Sequence, residues 1–335
     1  MAWLKPNRRW KCVGLIFTLA ALGPAIAVAQ TDDTFPNRAI RIIVPYQPGG
    51  ATDISARVVS TRLPEVIGQP VIVENRPGAG GNIGVEAVAT MAADGYTLLI
   101  GNVSTNAINE TVYATSLRTK ASRDLVGVTN VSEIPHVLVV NWQSSSKTLA
   151  DVIAQAKAQP GKLNYASTGA GGYPHLDILR LEKATGVLMT HIPYNGGAGP
   201  LVRALLANEV HVSFLNLASA LPHIKAGKLR PLAATTPTRL PDLAEVPTMT
   251  ELGYAGIGTT AWQGLFAPAA TPPAVLDKLH SAIVKALAAP ELKEQLAKQG
   301  LNLVLSKSPQ EYTEFTRAET KRWAEFLAQN PVKVE

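Results

Sequence analysis

The chain has 335 residues, of which 46% are hydrophobic and 17% charged, with 26 Gly and 24 Pro. This length suggests about two domains, because single hydrophobic cores usually stop growing near roughly 250 residues. The apolar content and mixed charges exclude a mainly disordered protein, and the lack of a repeat period argues against a solenoid or fibre. The single cysteine, Cys12, excludes an intrachain disulfide and a cysteine zinc site.

Residues 1–29 have the order of a secretory signal peptide. Four basic residues lie within the first eleven positions, an apolar run follows from Val13, and the run ends in the small residues Ala27-Val28-Ala29. A transmembrane anchor is the alternative, but the run is short and has helix-breaking residues near its end. We therefore predict cleavage before Gln30 and export to the periplasm. The Arg8-Arg9 pair leaves both the general and the twin-arginine export routes open.

The positive charge of the chain is concentrated in that segment. Without it, 27 basic and 25 acidic residues remain, a net charge of +2 over 306 residues. Nothing is left that resembles a phosphate-binding surface, so we expect no nucleic-acid partner. No later run approaches about 20 uninterrupted apolar residues, and we expect the exported chain to be soluble.

Short β-rich runs alternate with amphipathic segments along the rest of the chain. This alternation predicts α/β layers with mostly parallel sheets. Helix starts are indicated by Thr148, which forms a capping box with Asp151, and by Pro200, Thr271 and Ser308. The predicted strands are Ile40–Val44, Val71–Val73, Thr97–Ile100, Val137–Val140, Val210–Phe214 and Leu229–Ala233.

Five joints between predicted strands and helices, most of them rich in glycine, are candidates for binding. They occupy residues 44–53, 75–84, 101–106, 165–175 and 193–200. One such loop is explained by tight turns alone. Five of them favour an anion-binding cleft, because helix N-termini expose backbone N–H groups and the carboxyl edges of parallel sheets bind ligands.

The sequence contains none of the common catalytic or metal-binding motifs. Its six histidines are never within five residues of one another, and HExxH, GxSxG and GxxxxGK[ST] are absent. Gly78, Gly80 and Gly84 form only a loose dinucleotide-like pattern. Asp53 and His175 are interpreted as first-turn helix residues, with His175 able to donate to a ligand or a loop carbonyl. We therefore expect no metal, no cofactor and no enzymatic turnover.

A series of short motifs runs in order through the chain. They are Pro36-x-Arg38-x-Ile40, Pro48-Gly49-Gly50-x-x-Asp53, Asn75-Arg76-Pro77-Gly78-Ala79-Gly80-Gly81, Asp94-Gly95-Tyr96-Thr97-Leu98-Leu99, Tyr165-Ala166-Ser167-x-Gly169-x-Gly171, His191-x-Pro193-Tyr194-x-Gly196, Leu221-Pro222-His223-Ile224 and Val246-Pro247-Thr248. This set, from about Phe35 to Glu335, resembles the Bug family, the periplasmic solute-binding receptors of tripartite tricarboxylate transporters.

The resemblance implies a type II periplasmic-binding-protein fold, with two α/β lobes and a ligand cleft between them. It implies that residues 30–134 and 259–335 form a discontinuous first lobe and that residues 135–258 form the second. It implies a receptor, which we expect to be a monomer, that captures a small carboxylate for a membrane permease. A ligand-dependent input protein for a sensor kinase, and less readily a secreted enzyme, remain as alternatives.

The resemblance also implies which residues contact the ligand. Asn195 stands where many relatives have Lys, and Leu215 stands where many have Asp, which makes an acidic amino acid a less expected ligand. The loops at 48–53 and 167–175 contain no Lys or Arg, so we expect backbone donors to hold the carboxylate. The expected contacts are Tyr46, Pro48, Gly49, Gly50, Ala51, Asp53, Gly80, Thr105, Ser167, Thr168, Gly169, Gly172, His175, Asn195 and Asn216.

Overall fold

Two β-sheets organise residues 35–332, the part of the chain that the computed structural model describes. The predicted signal peptide, residues 1–29, lies outside the described residues. Within residues 35–332, no helix combines the length and the apolar character needed to cross a membrane.

The strands alternate with helices along much of the chain. In chain order they are β1 (Ile40–Val44), β2 (Val71–Asn75), β3 (Thr97–Asn102), β4 (Leu125–Ile134), β5 (His136–Asn141), β6 (Asn164–Ser167), β7 (Thr190–Pro193), β8 (Val212–Asn216), β9 (Leu229–Ala234), β10 (Ala261–Pro268) and β11 (Asn302–Leu303). The first sheet has the order β11-β4-β10-β3-β1-β2, and the second has the order β7-β6-β8-β5-β9.

The sheets are mixed, so the prediction of mostly parallel sheets is wrong. Strand β1 pairs in parallel with β2 and β3, but β10 runs antiparallel to both β3 and β4. Strand β5 likewise runs antiparallel to β8 and β9. The reason is that β5 and β10 enter their sheets from the other sheet, and a crossover helix within one sheet is what keeps successive strands parallel.

The helices cover both faces of each sheet. They are α1 (Ala51–Arg62), α2 (Pro64–Ile67), α3 (Asn82–Ala89), α4 (Asn109–Val112), α5 (Ala121–Asp124), α6 (Leu149–Ala158), α7 (Tyr173–Thr185), α8 (Ala198–Leu206), α9 (Leu217–Lys225), α10 (Pro273–Leu287), α11 (Pro290–Ala297) and α12 (Pro309–Gln329). A π-helical turn, Ser104–Ile108, follows β3, and 3₁₀ turns lie at Ala79–Gly81 and Pro241–Leu243. Helices α6–α9 and the second sheet are here called lobe 2; the other helices and the first sheet are lobe 1.

Two of the predicted helix starts are confirmed by hydrogen bonds. The Thr148 side chain accepts from the Asp151 N–H at 3.2 Å, and the Asp151 carboxylate accepts from the Thr148 N–H at 2.9 Å. The Ser308 hydroxyl caps α12 by accepting from the Glu311 N–H at 3.1 Å. Such caps satisfy N–H groups that have no acceptor within the helix.

The last long helix returns to lobe 1 and packs on its sheet. Its Tyr312 ring lies beside Gly127 of β4 and Gly264 of β10, and it meets Trp262 edge-on with ring centroids 6.1 Å apart. A Cβ atom at Gly127 would lie 2.7 Å from the ring, and one at Gly264 would overlap the Tyr312 hydroxyl. Two glycines on adjacent strands therefore make the space in which α12 is anchored.

We predict that Gly264→Ala destabilises the protein by about 1–3 kcal/mol, the usual cost of overpacking a core. The added methyl group has no free space, because Tyr312 is itself only 1% exposed and cannot move aside. A thermal melt should show the midpoint lowered by several degrees. An unchanged midpoint would contradict this packing of α12 on the sheet.

Candidate ligand-binding cleft

A small cavity lies between the two lobes, where the strand-to-helix joints of both meet. Its volume is about 20 Å³, room for about one water molecule. A larger groove of about 590 Å³ lies on the outer side of lobe 1 beside α2 and α10, away from these joints. The residues that line the small cavity are uncharged: Tyr46, Gly50, Ala51, Thr52, Asn102 and Gln263 from lobe 1, and Thr168, Tyr173, Gly197, Ala198 and Asn216 from lobe 2.

Four helices begin at this cavity. Helix α1 begins at Ala51 in lobe 1, while α7, α8 and α9 begin at Tyr173, Ala198 and Leu217 in lobe 2. The first N–H groups of a helix have no acceptor within it, and the helix dipole gives them a partial positive charge. The cavity is therefore suited to an anion, although no cationic side chain lines it.

Direct contacts between the lobes enclose the cavity. The Gln47 N–H donates to the Gly196 carbonyl at 3.0 Å, and the Tyr113 hydroxyl donates to the Ala170 carbonyl at 3.0 Å. A Cβ atom placed on Gly50 would lie 3.6 Å from that of Ala198. Since the enclosed space holds about one water, a solute of several carbon atoms enters only when these contacts separate.

The loop at residues 48–53 is held in shape by Asp53. Its carboxylate accepts from the Gly49 N–H at 3.1 Å, from Arg57 at 2.9 and 3.0 Å, and from Asn75 at 3.0 Å. Burial acts to raise the pKa of Asp53, but the hydrogen bonds from Arg57, Asn75 and the Gly49 N–H outweigh it and lower the pKa. The carboxylate also neutralises Arg57, so this loop offers the cavity no unpaired charge.

The loop of lobe 2 is built around two stacked histidines. His175 and His191 stack with ring centroids 4.0 Å apart, and the Ser167 hydroxyl lies 2.6 Å from His191 Nε2. His175 Nδ1 accepts from the Gly171 N–H at 2.9 Å, so the neutral ring carries its proton on Nε2, the nitrogen left to donate. Burial, with the proximity of His191, lowers the pKa of His175 to about 3.

The Ser167–His191 pair does not have the character of a catalytic dyad. Ser167 is fully buried, and its hydroxyl also bonds to both the carbonyl and the N–H of Gly169. Burial lowers the pKa of His191 to about 4, which makes it a weak base. The pair stabilises the loop and does not present a nucleophile to a substrate.

Five of the expected contact residues line the cavity: Tyr46, Gly50, Ala51, Thr168 and Asn216. The others lie around it. Thr105 bonds to the Asn102 N–H at 3.0 Å, and Asn195 approaches Gly169, which faces Gly80 across the cleft. Asp53 and His175 stabilise the loops, and the remaining expected residues are Pro48, Gly49, Ser167 and Gly172, which belong to the two loops.

Six lining residues were not anticipated from the sequence: Thr52, Asn102, Tyr173, Gly197, Ala198 and Gln263. All but Gln263 lie in joints that had been recognised, and Thr52, Tyr173 and Ala198 are the first or second residue of a helix, which was a usable signal. Gln263 had none, because β10 was not predicted as a strand. Across residues 35–332, no group of three His, Cys, Asp or Glu is placed to hold a metal ion.

Comparison with known proteins gives a consistent result for the whole described region. Residues 55–331 match the model of the tripartite tricarboxylate transporter family receptor, TctC. Protein BugT of Bordetella pertussis is 38% identical over 322 residues, 95% of this chain and 98% of BugT.

Two solved structures of Rhodopseudomonas palustris proteins are also similar. Rpa4515, with adipate, is 32% identical, covers 90% of this chain and all of its own, and has a TM-score of 0.85. MatC, with bound malate, is 29% identical, covers 87% of this chain and 99% of its own, and has a TM-score of 0.81. These proteins share the two-lobed fold of periplasmic binding proteins. The chain therefore belongs to the tripartite tricarboxylate transporter receptors, the Bug family.

Proposed function

We propose that this protein is a periplasmic receptor that captures a small carboxylate between its lobes and delivers it to a membrane permease, without a catalytic step. The observation that carries the proposal is the meeting of four helix N-termini at a cavity lined by uncharged residues. Similar proteins with adipate and with malate support a carboxylate as the ligand.

The carboxylate is held by backbone N–H groups and by neutral side chains. Hydrogen bonds to a charged partner contribute about 1.5–3 kcal/mol each. Three or four of them are enough for micromolar binding after the cost of association. The proposed contacts are the cavity-lining residues together with the loops that carry Gly49, Gly80, Gly169 and Gly172.

The lobes separate and close about two chain crossings. We propose residues 30–134 and 259–335 as lobe 1 and residues 135–258 as lobe 2. Pro135 alone separates β4 of the first sheet from β5 of the second, which supports the first boundary. At the second, Thr259 donates to the Asp177 carboxylate from its N–H at 2.9 Å and from its hydroxyl at 3.0 Å. These bonds tie the crossing to α7, which begins at the cavity.

We predict that adipate or malate binds the refolded, ligand-free protein and raises its melting temperature. A ligand at about 100 times its dissociation constant adds about 2.7 kcal/mol of stability, equivalent to several degrees. The diamides of the same acids serve as uncharged controls. The same measurement is made with a set of other small acids. If none of the acids raises the melting temperature, the proposal that the ligand is a carboxylate is wrong.

We predict that Gly50→Val lowers the affinity for the bound acid by at least about tenfold. The branched side chain would fill the space between Gly50 and Ala198, where backbone N–H groups approach the ligand. Gly50 has a φ of −88°, which valine adopts without strain, so the fold should survive.

Arg76→Ala tests the alternative that a cationic side chain holds the ligand carboxylate. Arg76 is already paired with Glu74, with its Nε 2.7 Å from the carboxylate, so we expect the affinity to change less than about threefold. Titration calorimetry measures both variants. Lost binding in Arg76→Ala together with retained binding in Gly50→Val would refute recognition by the backbone.

We predict that the protein expressed in a Gram-negative host is recovered from the periplasm with Gln30 at or near its N-terminus. The basic start, the apolar run and the small-residue exit of residues 1–29 motivate this expectation. Mass spectrometry of the intact protein checks it. A membrane-embedded product that retains Met1 would disprove export by cleavage.

A further inference from the structure

The side chain of Gln263 reaches the cavity from β10, and it is only 2% exposed. Its Oε1 atom accepts from the Thr52 hydroxyl at 2.7 Å, a distance typical of an O–H···O bond. Among the described residues, its Nε2 group has no hydrogen-bond acceptor, so two N–H donors remain for the cavity.

The orientation of this amide is fixed by a chain of hydrogen bonds. Asn102 Oδ1 accepts from the Ser104 N–H at 2.9 Å and the Thr105 N–H at 3.1 Å, which leaves Asn102 Nδ2 to donate to the Thr52 hydroxyl at 3.3 Å. The Thr52 hydroxyl then has its own proton free to donate to Gln263. Thus the backbone of the π-helical turn determines which end of the Gln263 amide faces the cavity.

Asn216 also presents N–H donors to the cavity, from the opposite lobe. Its Oδ1 accepts from the Ser219 N–H at 2.8 Å and caps α9, so its Nδ2 group is the part left for the cavity. Burial raises the pKa of Tyr173, and the Asn216 side chain acts to lower it, the effect expected of an amide donor beside a phenol oxygen. With the helix N-termini, the fixed polar groups of both lobes therefore present donors to the cavity.

We propose that Gln263 and Asn216 form a pair of amide donors that selects a ligand whose groups at this cavity are oxygen acceptors and rejects one that brings an ammonium group there. This inference rests on the proposed function and specifies its ligand class: carboxylic acids with a second carboxylate, hydroxyl or carbonyl oxygen. An ammonium group would face N–H donors and leave them without acceptors, which costs binding energy on both sides.

Two pairs of compounds test the selection. Adipate and 6-aminohexanoate have similar length but end in a carboxylate and an ammonium group, and malate and aspartate differ by a hydroxyl and an ammonium group. We expect the wild-type protein to bind the acid of at least one pair at least about tenfold more tightly than its ammonium partner. Equal binding of the acid and its ammonium partner in both pairs would overturn the inference.

Gln263→Glu tests the residue directly, because it replaces the Nε2 donors by an acceptor of the same shape. We expect the ratio of acid to ammonium affinity, measured by calorimetry, to fall at least about tenfold. Gln295→Glu is the control: it makes the same chemical change at an exposed position of α11, outside the cavity lining, and should leave the ratio within about threefold.

Thr52→Val tests the positioning role of the hydroxyl. Without it the Gln263 amide is free to turn its oxygen toward the cavity, so the ratio should fall in a protein that still folds and binds the acid. A ratio unchanged in Gln263→Glu and Thr52→Val, in a protein that still binds the acid, contradicts this inference alone. Failure of every acid to bind wild-type protein contradicts the proposed function itself.

Discussion

The structure depends on one electrostatic constraint. The two lobes must bring helix N-termini together around a space that no cationic side chain lines. Four helices begin there, and the guanidinium of Arg57, beside the loop at residues 48–53, is already bonded to Asp53. Partial charges at helix ends are weak individually, so they matter only where several converge and water is excluded. In the proposed closed state, the contact between the lobes brings the helix ends together and excludes water at the same time.

Helix α7 connects this site to the rest of the molecule. It begins at Tyr173 in the cavity, and its buried Asp177 bonds to Thr259 in the second crossing between the sheets. One turn further, the guanidinium of Arg180 lies 4.2 Å from the centre of the Phe326 ring on α12. A single helix therefore contacts the cavity, a crossing and the last helix, so a ligand bound in the cavity as proposed would act on lobe geometry through α7.

Sequence patterns predicted the fold class and three of the six strands of lobe 1, because β1, β2 and β3 are apolar runs bounded by recognisable glycine joints. They did not reveal β4 and β10, which contain buried polar residues such as Asn130 and Gln263 and lack simple alternation. For the same reason they missed Gln263 as part of the site. They also could not show that His175 and His191, sixteen positions apart, stack on each other, since only the fold brings them together.

The most direct test of recognition by the backbone is a crystal structure of the protein with a bound acid such as adipate. We expect a carboxylate of the acid within hydrogen-bond distance of first-turn N–H groups of α1 and of at least one lobe 2 helix, with Arg57 still paired with Asp53. A carboxylate bound instead to the guanidinium of Arg57 or Arg76 would contradict this explanation of how the cleft holds an anion.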